Sequence, residues 1–272
     1  MRQYRMFQAP IMTFFSPSFY RDVGLHWKGT GFAYLLLLLT ICWIPPFIQF
    51  HLSVADSVEN KAPALTAQIP QISIINGEAS ADVTQPYKII DPDSGEVLVL
   101  INTASDTVLL EGIEARIILM KTEVIFKKND VETRTFSLKK IEHFKLNQEI
   151  VSGWLTMFRS YSAVVFFPFA LLGSFAFRIV QILAYAAIGL LFMKWCKTSK
   201  PYKTLIRLSV MAVTPVIIVS TVMGIIDVKI PLQGLFFFIA AMALLFLGVK
   251  AVSCQEKKQV TMDKNQSAQQ DA

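Results

Sequence analysis

Cysteine is scarce in this chain, three in 272 residues, and the hundred or so residues from His51 to Gly153 contain none. No CxxC pair occurs either, so a disulfide framework and a dithiol redox centre are both excluded as the basis of function. Histidine is equally sparse. His26, His51 and His143 lie far apart and none belongs to an HxxxH or HxxE pattern, which speaks against a zinc site. No GxSxG elbow, Walker loop or GxGxxG turn appears. Close carboxylate pairs such as Asp91 and Asp93 fall in turn sequence, where aspartate serves backbone geometry before chemistry. The expectation is a protein with no catalytic residues, no cofactor and no metal.

Charge is the next deficiency, and it is unevenly spread. Between His51 and Gly153 there are ten basic and fifteen acidic residues, a balance of −5; the rest of the chain has sixteen basic and five acidic, a balance of +11. Basic residues concentrated beside apolar runs are the mark of cytoplasmic loops facing anionic headgroups. The overall charge of +6 is therefore read as a topology signal and not as nucleic-acid binding.

What is abundant is apolar sequence, 53% of the residues with 21 phenylalanines. Tyr161 to Trp195 carries only two charges, Arg178 and Lys194, over a stretch longer than a bilayer of ~30 Å requires. Three further runs, Gly31 to Phe50, Leu205 to Ile226 and Ile230 to Val249, are each of spanning length. The fold class expected is a membrane α-helical bundle of four, with five as the alternative, transmembrane helices and an inserted small antiparallel β-rich extracytoplasmic domain. Its boundaries are 1–29 for a cytoplasmic amphipathic, aromatic segment, 30–50 for the first span and 51–150 for the β-rich domain. The transmembrane helical region is 151–252, made of one long broken segment 151–196 and the spans 204–226 and 230–250, and 253–272 is a disordered cytoplasmic tail.

Several local features support these boundaries. Ser16 is placed to cap a short helix beginning at Pro17. Pro45-Pro46 should kink or end the first span near its outer boundary. Ser53-Val54-Ala55 offers small residues for signal cleavage, but the preceding basic region is too long, so the run is read as an anchor. Asn76-Gly77 is a hairpin signal because both residues tolerate positive φ, and Asp91-Pro92-Asp93-Ser94-Gly95 is a second. A third hairpin is expected to join one strand, Ile117 to Phe126, through Lys127 to Asp130 to another, Val131 to Leu138. Lys139 to Ile150 reads as a partly helical connection.

The lysine-rich loop from Lys194 to Arg207 has no acidic residue and should be cytoplasmic, as should the basic N-terminus. One broken helix with its break at Pro168 and Gly173-Ser174 then connects the outer domain to that loop, giving four crossings with both termini inside. A hairpin near Gly173 would give five. Localisation follows as a multi-pass bacterial inner-membrane protein with 51–150 extracytoplasmic, its partners the lipid bilayer and a membrane protein or a second copy.

The segment Phe14-Phe15-Ser16-Pro17-Ser18-Phe19-Tyr20-Arg21-Asp22 before a leucine-rich span, the motif Ile69 to Gly77 and the apolar C-terminal half together resemble the YvdJ-like family of bacterial membrane proteins of unknown function. Some members are labelled maltodextrin-utilisation proteins, so the resemblance implies an association with carbohydrate uptake. Family members tend to carry an Asp-Thr-Thr-Gly-like turn where this chain has Asn102-Thr103-Ala104-Ser105.

Arg178 is the residue most suggestive of a site, because a guanidinium in hydrocarbon must face the bundle, water or headgroups. Ser174 four residues before it and Gln181 three after it complete a polar stripe on one helical face. The competing reading is a structural arginine bonded to carbonyls or snorkelling to phosphate. Asp227 reads as a loop carboxylate, and Trp154, Phe158 and Tyr161 as an interfacial aromatic belt. The function expected is non-enzymatic: a binding, scaffold or sensor-like protein whose outer domain is coupled to the helices, or else an accessory of a transport system.

Overall fold

The computed structural model describes residues 3–104, 115–127, 132–228 and 230–270. Contacts divide the chain into two units, one of residues 1–49 and 164–272 and one of residues 50–163.

The first unit is helical. A 3-10 turn, Met6–Gln8, leads into α1, Ala9–Phe15, and α2, Pro17–His26. Ser16 lies in extended conformation between them and its hydroxyl accepts the amide of Phe19, the N-cap expected from the Ser-Pro pair. Then come α3, Phe32–Asp56, and the long helices α5, Gln148–Cys196, α6, Tyr202–Ile225, and α7, Gln233–Gln270. Helix α6 is the core of the unit, with every residue but Arg207 buried from Thr204 to Ile217, and α2 packs against both α6 and α7. Among the described residues, four helices are long and apolar enough to cross a membrane by length and composition. Their outer faces are apolar too: Ile41, Ile48, Phe169, Phe177, Val180 and Phe236 are all exposed. Each such side chain left in water forgoes ~1.5–3 kcal/mol of transfer free energy.

The expected break in the long segment 151–196 is absent. Helix α5 runs unbroken for 49 residues through Pro168 and Gly173, with no hairpin at Gly173. Pro168 removes only its own amide and frees the Val164 carbonyl, a loss an otherwise strong helix absorbs. Likewise α3 does not end at Pro45-Pro46 but continues to Asp56, followed by a π turn, Ser57–Lys61, and α4, Ala62–Thr66. The tail expected to be disordered from 253 instead continues α7 to Gln270. From Cys254 onward it contains no glycine or proline, so a helix already nucleated in the apolar stretch can propagate.

The second unit holds two sheets. In the smaller, β1 (Ile72–Ile75) lies between β2 (Glu78–Ala81) and β8 (His143–Leu146), all antiparallel. In the larger the order is β3 (Tyr87–Ile90), β4 (Val97–Asn102), β5 (Ile117–Met120), β6 (Glu123–Lys127), β7 (Thr133–Ser137), with β4 and β5 parallel and the other pairs antiparallel. Ile72, Ile74 and Ala79 from the smaller sheet meet Ile89, Ile101 and Leu119 from the larger in one core. A second cluster, Leu100, Ile118, Met120 and Ile125, buries the opposite face of the larger sheet, which explains why β4 and β5 are apolar without alternation.

Two strand expectations change. The segment read as one strand, Ile117 to Phe126, turns back at Lys121-Thr122, and the segment read as a connection, Lys139 to Ile150, contains β8 before α5 begins. The Lys121 carbonyl accepts the amide of Ala79 and the Thr122 carbonyl that of Leu138, so this turn is held by bonds from distant chain. The open edge of β1 recruits β8, whose side chains are mostly exposed and give no burial signal. Lys128, Asn129 and Asp130 of the expected third turn, with Val131, Ser105 and Lys229, lie outside the described residues.

Candidate functional site

In the helical unit, α3, α5 and α6 enclose a cleft of about 170 Å³. Helix α3 contributes Leu39, Cys42, Trp43 and Pro46, α5 contributes Ser174 and Arg178, and α6 contributes Ile217, Ser220 and Thr221. Its volume is many times the ~10–15 Å³ that one water needs. Helical spacing places Ser174 and Arg178 on the same face of α5, one turn apart.

Arg178 is oriented by a short relay along its own helix. Its Nη1 donates to Gln181 Oε1 at 2.6 Å, and Gln181 Nε2 donates to the Tyr185 hydroxyl at 2.7 Å. The Gln181 side chain thus holds one edge of the guanidinium, while Ser174 and Arg178 line the cleft. Tyr185 belongs to this group and was not singled out from sequence, although Ser174, Arg178, Gln181 and Tyr185 follow the i, i+4, i+7, i+11 spacing of one helical stripe. Among the described residues no carboxylate lies within ion-pair distance of Arg178. On α6 the Ser220 and Thr221 hydroxyls both donate to the Ile217 carbonyl.

A second polar cluster, invisible to local sequence reading, ties the N-terminal helices to the unit. Asp22 is buried, and its carboxylate accepts the backbone amides of Gln3 and Tyr4 and the Trp27 indole N–H at 3.1–3.2 Å, with His26 Nδ1 at 3.0 Å. Arg207 of α6 donates to the carbonyls of Trp27 and Gly24 and to the Thr204 hydroxyl. Tyr20 donates its hydroxyl to the Thr13 carbonyl at 2.8 Å, and burial pushes that hydroxyl's pKa up. For Asp22, burial alone would raise the pKa, but the bonds from Gln3, Trp27 and Tyr4 and the neighbouring His26 outweigh it and hold the carboxyl below its usual value. A depressed folded-state pKa contributes stability that is complete above the unfolded value of ~3.9 and lost as pH falls through the folded one. The segment 3–27 is therefore expected to undock on acidification below about pH 4, and Asp22→Asn to remove that dependence. Hydrogen exchange of its amides across pH 3–7, normalised for intrinsic rates, reads both effects.

The remaining candidates take structural positions. Asp91 closes its turn, accepting the amide of Asp93 and the hydroxyl of Ser94, and these bonds lower its pKa. Asp227 follows α6 at φ +50°. Trp154, Phe158 and Tyr161 are exposed along α5. Among the described residues no three His, Cys, Asp or Glu side chains are grouped to hold a metal ion.

No curated protein and no solved structure matches the chain. Residues 7–249, a span that takes in both units and the Arg178 cleft, match the family model described as protein of unknown function (DUF1189), and the chain belongs to that family.

Proposed function

We propose that the protein is a non-enzymatic, multi-pass protein of the bacterial inner membrane that binds a ligand or partner and serves as a scaffold or sensor. Four crossings by α3, α5, α6 and α7 place both termini and the Lys194 to Arg207 loop in the cytoplasm and residues 51–150 outside. The observation that carries this reading is the Arg178 cleft: a charged, polar-lined recess among helices whose outer faces are apolar. Support for the sidedness comes from the +11 and −5 division of charge. Phe7, Ile11 and Phe15, four residues apart and all exposed on the first short helical turns, form an apolar stripe suited to the cytoplasmic interface. Helices α3 and α5 each contain residues of both units, so the β-bearing unit is joined to the helical one by helical backbone at both ends.

Sidedness is tested by a membrane-impermeant maleimide on intact spheroplasts. Ser94→Cys in a cysteine-free background should label without permeabilisation, and native Cys254 only after it; the reverse pattern would overturn the topology. Replacing residues 69–146 by a flexible linker should leave insertion intact and reproduce the phenotype of a null strain, and a fully active replacement would remove the binding role from the β-bearing unit. The second reading, an accessory of a transport system for carbohydrate, is favoured by the same polar cleft and by the resemblance to proteins labelled for maltodextrin use. Four helices are few for a lone transporter, so this reading requires a partner or an oligomer. It predicts that Arg178→Ala abolishes uptake at unchanged protein abundance.

A further inference from the structure

We propose that the Arg178 cleft is a binding site for a phosphate-class oxyanion, supplied either by a phospholipid headgroup of the outer leaflet or by a soluble phosphate. The inference rests on the membrane reading above and adds the ligand's chemistry.

Three observations converge on it. The first is the donor set. One guanidinium N–H of Arg178 is engaged by Gln181, which leaves the rest of the planar fork for an oxyanion. Ser174 and Trp43, also in the lining, bring a hydroxyl and an indole N–H. Among the described residues no carboxylate lines the cleft to compete for the cation. Ser220 and Thr221 spend their protons on the Ile217 carbonyl and offer only oxygen lone pairs, which can accept from a protonated phosphate oxygen or a hydroxyl of a phospholipid headgroup.

The second is pre-organisation. The Gln181 to Tyr185 relay fixes the guanidinium before any ligand arrives, so an incoming anion does not have to order it. A purely structural arginine would instead send its donors to backbone carbonyls, as Arg207 does with those of Trp27 and Gly24. The contrast between these two arginines separates a tie from a receptor.

The third is depth. At ~1.5 Å per residue, Arg178 lies about 24 Å along α5 from Lys194, and Ser220 about 26 Å along α6 from Lys203. Both positions are past the midplane of a hydrocarbon core of ~30 Å and close to its far boundary. Trp43 lines the same cleft from α3, about 17 Å along that helix from Phe32 and so on the outer side of the midplane. An oxyanion at the outer headgroup level reaches this cleft without entering the middle of the bilayer.

The test uses the full-length protein in a non-ionic detergent. Wild type, Arg178→Gln, Arg178→Lys and Gln181→Glu are compared by native mass spectrometry for retained phosphatidylglycerol and by calorimetric titration with inorganic phosphate. Gln181→Glu keeps a partner for Arg178 and neutralises the guanidinium with a tethered carboxylate, so it remains informative where Arg178→Gln fails to fold. Retention or phosphate affinity at least tenfold weaker in Gln181→Glu and in any folded Arg178→Gln supports the proposal, with Arg178→Lys intermediate because it keeps charge but loses the fork. Loss in the lipid arm assigns the source to the headgroup, and loss in the titration assigns it to soluble phosphate. Wild type and variants alike in both arms, at equal melting temperature, would overturn it. The maleimide experiment reads topology separately, so a wrong orientation and an empty cleft give different results.

Discussion

Gly77→Val is expected to unfold the smaller sheet of the β-bearing unit, while Gly95→Val, a substitution of the same type at a similar backbone angle, leaves its fold intact. Both glycines have positive φ, +83° and +72°. A β-branched residue in that region costs ~1–2 kcal/mol at either position. The difference lies in what a side chain would meet. At Gly95 there is nothing within 4 Å, whereas at Gly77 a Cβ would stand 2.7 Å from the Lys139 Cα and 3.2 Å from the Leu138 carbonyl oxygen. Those atoms are backbone and cannot rotate away. They also belong to the segment from which the Ile141 and Glu142 carbonyls accept the amides of Gly77 and Asn76, so relieving the clash breaks the bonds that bring β8 to β1. Local strain of ~1–3 kcal/mol is then added to the conformational term, for a total of ~2–5 kcal/mol. In native-state hydrogen exchange of the full-length protein, amides of β1 and β2 should exchange about 30-fold faster in Gly77→Val than in Gly95→Val, since the strain term that separates the two variants centres on ~2 kcal/mol. Equal effects at the two positions would show that only the backbone angle matters.

The contrast between these glycines also marks what a sequence reader can and cannot see. Asn76-Gly77, Asp91 to Gly95 and Ser16-Pro17 declare themselves because a turn or cap is chosen by the few residues that form it. The bend at Lys121-Thr122 does not, because its residues have no turn preference and its carbonyls are held by Ala79 and Leu138. Strand β8 is equally silent: it exists because β1 has an unpaired edge, and its own side chains stay largely outside the core. Proline misled for a related reason. Pro45, Pro46 and Pro168 each delete one backbone bond, which reads as a break in isolation, but the surrounding residues favour helix strongly enough to carry α3 and α5 through them.

The candidate site divides along the same line. Ser174, Arg178 and Gln181 were legible as a stripe because one helix and its period of 3.6 suffice to align them. Tyr185 extends that stripe but stands in an apolar run, between Ala184 and Ala186, where a single hydroxyl gives no polar signal. The other walls, from α3 and α6, depend on how those helices are rotated about their axes, and helices apolar on most faces carry too weak a periodicity to tell. Arg207 shows the limit most clearly. In sequence it reads as the last cation of a lysine-rich loop, and in the structure it reaches back 180 residues to the Trp27 carbonyl.

That long-range tie makes Phe19→Ala the change expected to cost the helical unit most, about 3–5 kcal/mol for a fully buried phenylalanine. Phe19 has no exposed surface and stands edge-on to Tyr4, Tyr20 and Trp27, with ring centroids at 5.6, 6.2 and 5.7 Å. It sits at the centre of the aromatic cluster on α2, a helix that packs against both α6 and α7. The approach is close: a Cβ on Gly24 would run into the Val252 side chain, and one on Gly248 would come within 3.0 Å of the Tyr20 ring. Emptying the Phe19 position removes the aromatic contacts, and the α2 carbonyls at Gly24 and Trp27 then drift from Arg207. The Arg207 Nε is already buried without a partner, so loss of the remaining acceptors leaves a charged group unsatisfied, a penalty beyond the cavity itself. Phe15→Ala separates packing from hydrophobicity, because Phe15 is 84% exposed. It should leave the melting temperature unchanged and weaken only the hold of the N-terminal segment on lipid. Limited trypsin digestion at Arg21, with hydrogen exchange over residues 16–27, reads the first effect. Undiminished protection in Phe19→Ala would mean that α2 is held by Asp22 and Arg207 alone, and that the aromatic cluster is a consequence of docking and not its cause.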